Sequence, residues 1–116
     1  MKEIRTYIHK HRIADVIQAI KASRPCGAGD APDCRALSVT AVKTLLRPVD
    51  EAEQHYSVDL AEPVIDEYRL ELVCEDHDAD APAALIERTA RTGQAEAGWI
   101  LVTEVLAAIP IRGPRA

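Results

Sequence analysis

Glu87-Arg88-Thr89-Ala90-Arg91-Thr92-Gly93-Gln94-Ala95-Glu96-Ala97-Gly98-Trp99-Ile100-Leu101-Val102-Thr103-Glu104-Val105 passes from a helical pattern to an extended one, and the fold turns on that passage. The spacing predicts a helix that closes at Gly93, a small-residue loop with a second glycine at Gly98, and a strand beginning at Trp99. Such a turn is made largely of backbone. It can offer N–H groups to an anion, because glycine lets the main chain approach a ligand that a β-carbon would exclude. The plainer alternative makes Gly93 an ordinary helix C-cap and Gly98 an ordinary turn residue.

Upstream of the turn, strand and helix patterns alternate. Ile4, Thr6 and Ile8 alternate with Glu3, Arg5 and Tyr7, which predicts a strand with one face in the core. From Arg12, the residues Ile13, Val16, Ile17 and Ile20 recur at helical spacing, so an amphipathic helix is expected to run to about Ser23, ahead of Pro25. Leu37, Val39 and Ala41 alternate with Ser38 and Thr40 in a second strand reaching toward Leu46, where Pro48 interrupts it. Asp50 to His55 is acidic and polar, and the chain is expected to leave the sheet there in a long excursion. Tyr56 to Leu60 has strand character, and Pro63 breaks it off from the next strand. Tyr68, Leu70, Leu72 and Cys74 define that third strand. Asp78 or Asp80 can cap a second helix, with Pro82 in its first turn and Leu85, Ile86 and Ala90 on its apolar face.

The resulting order, β-α-β-β-α-β, is the ferredoxin-like α+β arrangement: an antiparallel four-stranded sheet with two helices on one face, in a single domain over residues 1–116. The uncovered sheet face carries residues such as Tyr7, so an oligomer is expected.

Composition narrows the function classes. The net charge of −5 and an aromatic content of 3% with no Phe speak against a partner recognised by phosphate neutralisation or base stacking, so no nucleic acid is expected. Hydrophobic residues make up 47% of the chain, yet no apolar run is long enough for direct membrane insertion. Met1 to Thr6 already alternates like a strand and has no apolar leader, so a cytoplasmic location is expected. No combination of nucleophile and base suggests catalysis, and the chain has no Asn. It is read as a binding protein, not an enzyme.

Several soft ligands stand out. His9-Lys10-His11 is expected to point two imidazoles to one side of an extended segment, which begins a metal site without completing it; a solvent-exposed polar strand end is the expected reading. Cys26 and Cys34 flank a glycine-rich and aspartate-rich loop and are expected to be free surface thiols, with pairing or a soft metal as alternatives. Cys74 reads as a small buried hydrophobe. Asp76 to Asp80 suits a helix entrance better than a calcium loop. No metal ligand set is assigned.

Met1-Lys2-Glu3-Ile4, Ile13-Ala14-Asp15-Val16, Ala19-Ile20, Leu37 to Lys43, Arg69 to Val73, Arg88-Thr89-Ala90-Arg91-Thr92-Gly93 and Ile109-Pro110-Ile111-Arg112-Gly113 together resemble the PII signal-transduction proteins, the nitrogen-regulatory family. The resemblance runs along nearly the whole chain in one register, apart from an insertion around Pro25 to Asp33. It implies a homotrimer whose three inter-subunit clefts take ATP or ADP as effector, with no permanent cofactor. It also implies a long flexible loop between the second and third strands, here about Thr44 to Glu67. That loop, the family's T-loop, docks on a regulated protein such as a membrane transporter or an enzyme.

Carried over residue by residue, the resemblance assigns ligand binding to Ser38, Arg47, Thr92, Gly93, Gly98, Trp99 and Arg112. Ser38 keeps the hydroxyl that meets the adenine, Arg47 stands where an arginine reaches the nucleotide from the loop, and Gly98 keeps one glycine of the phosphate turn. Arg112 keeps one of two arginines lent by the neighbouring subunit. Trp99 replaces the phosphate-binding lysine, Pro110 the other arginine, and Glu96-Ala97 a Gly-Asp pair. Each lost charge-assisted bond is worth about 1.5–3 kcal/mol, so a less charged ligand such as AMP or ADP, or a small molecule stacked on Trp99, is expected in place of ATP. Pro48 stands in place of the glutamine that holds magnesium and 2-oxoglutarate, and sensing of 2-oxoglutarate is not expected. The chain is therefore read as a divergent PII-like branch. The alternative, motivated by the histidines and Cys26/Cys34, is a metal-responsive protein related to the trimeric divalent-cation tolerance proteins.

Overall fold

The structure is a computed structural model that describes residues 1–23, 26, 34–45, 53–93 and 98–113. Strand β1 (Lys2–His9) leads into helix α1 (Ile13–Lys21), and then come β2 (Arg35–Thr44), β3 (Gln54–Ser57) and β4 (Glu62–Cys74). A short 3-10 turn at Asp76–Asp78 introduces helix α2 (Asp80–Thr89), and β5 (Ile100–Glu104) completes the set. The class is α+β. The sheet has five strands where four were expected: β2-β4-β1-β5 lie side by side, all pairs antiparallel, and β3 pairs with β4 off that path.

The core lies on the face where the strand alternation points its apolar residues. Ile4 and Ile8 of β1 and Leu70, Leu72 and Cys74 of β4 meet Ile13, Val16 and Ile20 of α1 and Ile86 of α2. Burial pushes the Cys74 thiol above its ordinary range, with the nearby Asp78 and Glu75 carboxylates adding to the effect. The opposite face is polar. Arg5 bonds Glu3 at 3.1 Å and lies 3.6 Å from Glu71, which Arg69 also approaches at 2.6 Å.

Three boundaries differ from expectation, and a fourth lies outside the described residues. Helix α1 stops at Lys21, and α2 ends at Thr89 and not at Gly93; the Thr89 hydroxyl donates back to the Leu85 carbonyl at 2.8 Å, occupying the last turn from within. Neither Asp78 nor Asp80 caps α2, whose N-cap position is Ala79 with no side-chain bond. Leu46 lies outside the described residues, and β2 ends at Thr44.

The largest difference is in the stretch expected to be loop from Thr44 to Glu67. Its second half is a hairpin, in which Gln54, His55, Tyr56 and Ser57 pair with Ile65, Val64, Pro63 and Glu62. Pro63 does not break the strand but lies inside β4. Among the described residues it has no partner on the far side there, because β1 pairs only with residues from Glu67 onward and β2 only from Ile65 onward. A missing N–H costs nothing on such an unpaired edge.

Cys26 and Cys34, expected as free surface thiols, are joined in a disulfide and buried among the core residues. The two Cα atoms are 4.5 Å apart, and both residues belong to the same core cluster as Ile13, Val16 and Ile20 of α1.

Candidate functional site

The small-residue turn after α2 is described at its two ends. Gly93 has φ +90° and Gly98 φ +153°, both in the region that disfavours a side chain. A β-carbon on Gly98 would sit 3.5 Å from the Tyr7 carbonyl oxygen, an ordinary contact, so the backbone conformation and not space is what favours glycine where the chain enters β5 beside β1. The entry is pinned by the Thr6 hydroxyl, itself buried, which donates to the Trp99 carbonyl at 3.0 Å. Trp99 is left 69% exposed. The Thr92 hydroxyl oxygen is shut off from solvent and has no hydrogen-bond partner among the described residues.

The start of this turn is held by Arg12. Its Nε and Nη2 both donate to the Thr89 carbonyl, at 3.0 and 2.7 Å, and its Nη1 donates to Asp15 at 2.9 Å. A guanidinium is well placed there, because the C-terminal carbonyls of a helix carry partial negative charge. Since Arg12 is about one-third exposed, its contribution is discounted to about 1–2 kcal/mol. Arg12→Met, which keeps the stem and removes the fork, is expected to lower stability by that amount and to speed amide exchange at Ala90 to Gly93. Urea unfolding and hydrogen exchange measure the two effects, and exchange unchanged in that segment would contradict the clamp.

The other assigned residues are dispersed. A bulge with Ala36 at φ +52° lies between Arg35 and Ser38, and Ser38 then stands opposite Glu71 on the polar sheet face. Two strands, β4 and β1, separate β2 from β5, so Ser38 and Trp99 lie toward opposite edges of one sheet. Arg112 is exposed beyond β5, and Arg47 lies outside the described residues. Among the described residues, one copy of the chain therefore does not bring Ser38 and Trp99 into one pocket.

A second, tighter cluster forms at the end of β1. His9 Nε2 lies 2.5 Å from Glu53 Oε2, and His11 Nε2 lies 3.5 Å from Glu53 Oε1. The two imidazole centroids are 4.8 Å apart, and the backbone N–H of His11 donates to His9 Nδ1 at 3.1 Å. With Nδ1 accepting, a neutral His9 carries its proton on Nε2 and gives it to Glu53. The expected exposed strand end is thus only half right, since His9 is 8% exposed while His11 is open to solvent.

Register explains how Glu53 reaches His9. Ile65 is partnered by Thr44 of β2 and by Gln54 of β3 at once, which puts β3 on the other edge of β4, the one that β1 occupies from Glu67 onward. Glu53, just ahead of β3, therefore meets the end of β1. Glu67 stands opposite His9 in the ladder, is 6% exposed, and accepts the Thr44 hydroxyl at 2.5 Å. Sequence reading missed both carboxylates. Glu53 sits in an acidic run that looks solvated, and the only available hint was that two histidines of one turn lacked further donors.

Among the described residues, no helix is long and apolar enough to cross a membrane. No protein-family model matches this sequence, and no curated protein matches it.

Proposed function

We propose that the chain is a PII-like regulatory protein: a homotrimer that binds a small effector in clefts between copies and signals to a partner protein through the arm between β2 and β4. The observation that carries this reading is the division of the assigned residues between the two sides of the sheet. Ser38 belongs to β2 at one edge of the sheet, and Gly98 and Trp99 lead into β5 at the other, an arrangement that suits a cleft built between neighbouring copies. The apolar exposure points the same way. Leu37 and Val39 on β2, Leu101 and Val102 on β5, and Leu106, Ile109 and Ile111 beyond it all stand open in the single chain. A protein with that much apolar edge and tail is expected to cover it with its own copies.

Further support comes from the strand order. Four strands run β2-β4-β1-β5, an order compatible with the ferredoxin-like arrangement, with β3 as an addition paired to β4. In this reading the effector is an adenine nucleotide of low charge, AMP or ADP, with its base or another flat group on Trp99 and its anion on the backbone between Gly93 and Gly98. The protein acts in the cytoplasm as a binding module, and its partner is a transporter or an enzyme.

Trp99 is the single tryptophan of the chain, which makes the test direct. Light scattering is expected to report about three times the chain mass of 12.7 kDa. AMP or ADP is expected to change Trp99 emission and to give heat on titration, with ATP weaker, and Trp99→Ala is expected to weaken binding about tenfold or more. A monomer at micromolar concentration, or no heat from any adenine nucleotide, would refute the reading.

A further inference from the structure

We propose that His9, His11 and Glu53 form a binding site for a divalent first-row transition ion, zinc(II) in the first instance, and that the ion ties the β3–β4 hairpin to the end of β1. The ligand atoms of these three residues all lie within 4.8 Å of one another, close enough for one ion to replace the present hydrogen bonds with modest side-chain movement. Two imidazoles and a carboxylate are a donor set that zinc(II) accepts, at bond lengths of about 2.0–2.2 Å, with a fourth position left to water or to another ligand. Hard ions such as magnesium and calcium prefer all-oxygen sets and are not favoured here.

The surroundings fit a cation. His9 is 8% exposed and the Glu53 side chain 12%, so a carboxylate largely withdrawn from water needs a positive partner. Glu67, buried and opposite His9 in the ladder, adds a second negative charge on the same face. The three ligands come from the last residue of β1, the turn immediately after it, and the residue just ahead of β3. An ion held by all three therefore fixes where the hairpin starts relative to the sheet. The site lies within one chain and stands whether or not the trimer reading holds.

Loading leaves a specific trace on the turn. When an ion takes His9 Nε2, the proton of the neutral ring moves to Nδ1, and Nδ1 can no longer accept the His11 backbone N–H that it now holds at 3.1 Å. The turn between β1 and α1 must readjust, so the His11 amide is a reporter that a loosely bound surface ion would not move.

The test titrates the metal-stripped, oxidised protein with zinc(II) chloride by calorimetry and by amide correlation spectra. The expected result is saturable uptake of about one ion per chain, loss of at least about tenfold in affinity for His11→Ala and for Glu53→Gln, and a displaced His11 amide signal in the unaltered protein. His11 is exposed, so its replacement does not put folding at risk even if His9→Ala fails to fold. Replacing Cys26 and Cys34 together by serine is expected to leave uptake unchanged. Uptake that is absent at about 100 µM, where affinity corresponds to about 5–6 kcal/mol, or that survives both His11→Ala and Glu53→Gln, overturns the proposal.

Discussion

Replacing Ile86 by alanine is expected to cost the domain about 2–5 kcal/mol, a large share of the roughly 5–15 kcal/mol that holds a domain of this size together. Helix α2 fully buries only Pro82 and Ile86, while α1 buries Ile13, Val16 and Ile20. Ile86 is 0% exposed and lies in the core with Leu70, Leu72 and Val16, so truncation both loses transfer energy and leaves a cavity that neighbouring strands cannot easily fill. Because α2 ends at the turn that carries Thr92 and Gly93, loosening the helix also loosens one wall of the candidate effector site. The measurement is the urea midpoint at constant slope, with Leu85→Ala as comparison, since Leu85 is only partly buried. If Ile86→Ala cost no more than Leu85→Ala, the packing described for α2 would be wrong.

Opening the Cys26–Cys34 disulfide is the second large effect, with an expected loss of about 2–3 kcal/mol for so short a loop. The two residues are 8 apart in sequence, and both are buried in the core cluster. Paired urea unfolding curves with and without reductant give the number. Thiol counting tests the pairing itself. Among the three cysteines only Cys74 is free, and it is buried with its thiol held protonated. Alkylation of the native oxidised protein is therefore expected to label nothing, of the unfolded oxidised protein Cys74 alone, and of the reduced unfolded protein all three. Labelling of Cys26 or Cys34 without reductant would show that the pair is not joined. In a reducing compartment the bond opens, and the domain would then rely on its core without that margin.

Much of the architecture was legible in the chain because it depends on short-range periodicity. The alternation of Ile4, Thr6 and Ile8, the helical spacing of Ile13, Val16 and Ile20, and the run Leu70, Leu72 and Cys74 each mark a face, and each of those residues is buried. Boundaries were less legible, since they depend on local competition for hydrogen bonds. Thr89 satisfies the Leu85 carbonyl and Arg12 satisfies the Thr89 carbonyl, so α2 closes before the glycine that had looked like its cap. For the turn before β5, the need for glycine at positions 93 and 98 was readable as a turn, but the nearness of Gly98 to the Tyr7 carbonyl was not.

The order of the two helices and of β1, β2, β4 and β5, the identity of the buried face and the glycine-dependent turn before β5 were set by the sequence alone, because each arises from residues within a few positions of one another. Tertiary structure decided what distant segments do to one another. Pro63 could join β4 only because, among the described residues, neither β1 nor β2 reaches that part of its edge. Glu53 met His9 across 44 positions only because β3 takes up the edge of β4 that β1 leaves free. Pairing along a shared strand brings such residues together at no cost to local pattern, so no local pattern records it.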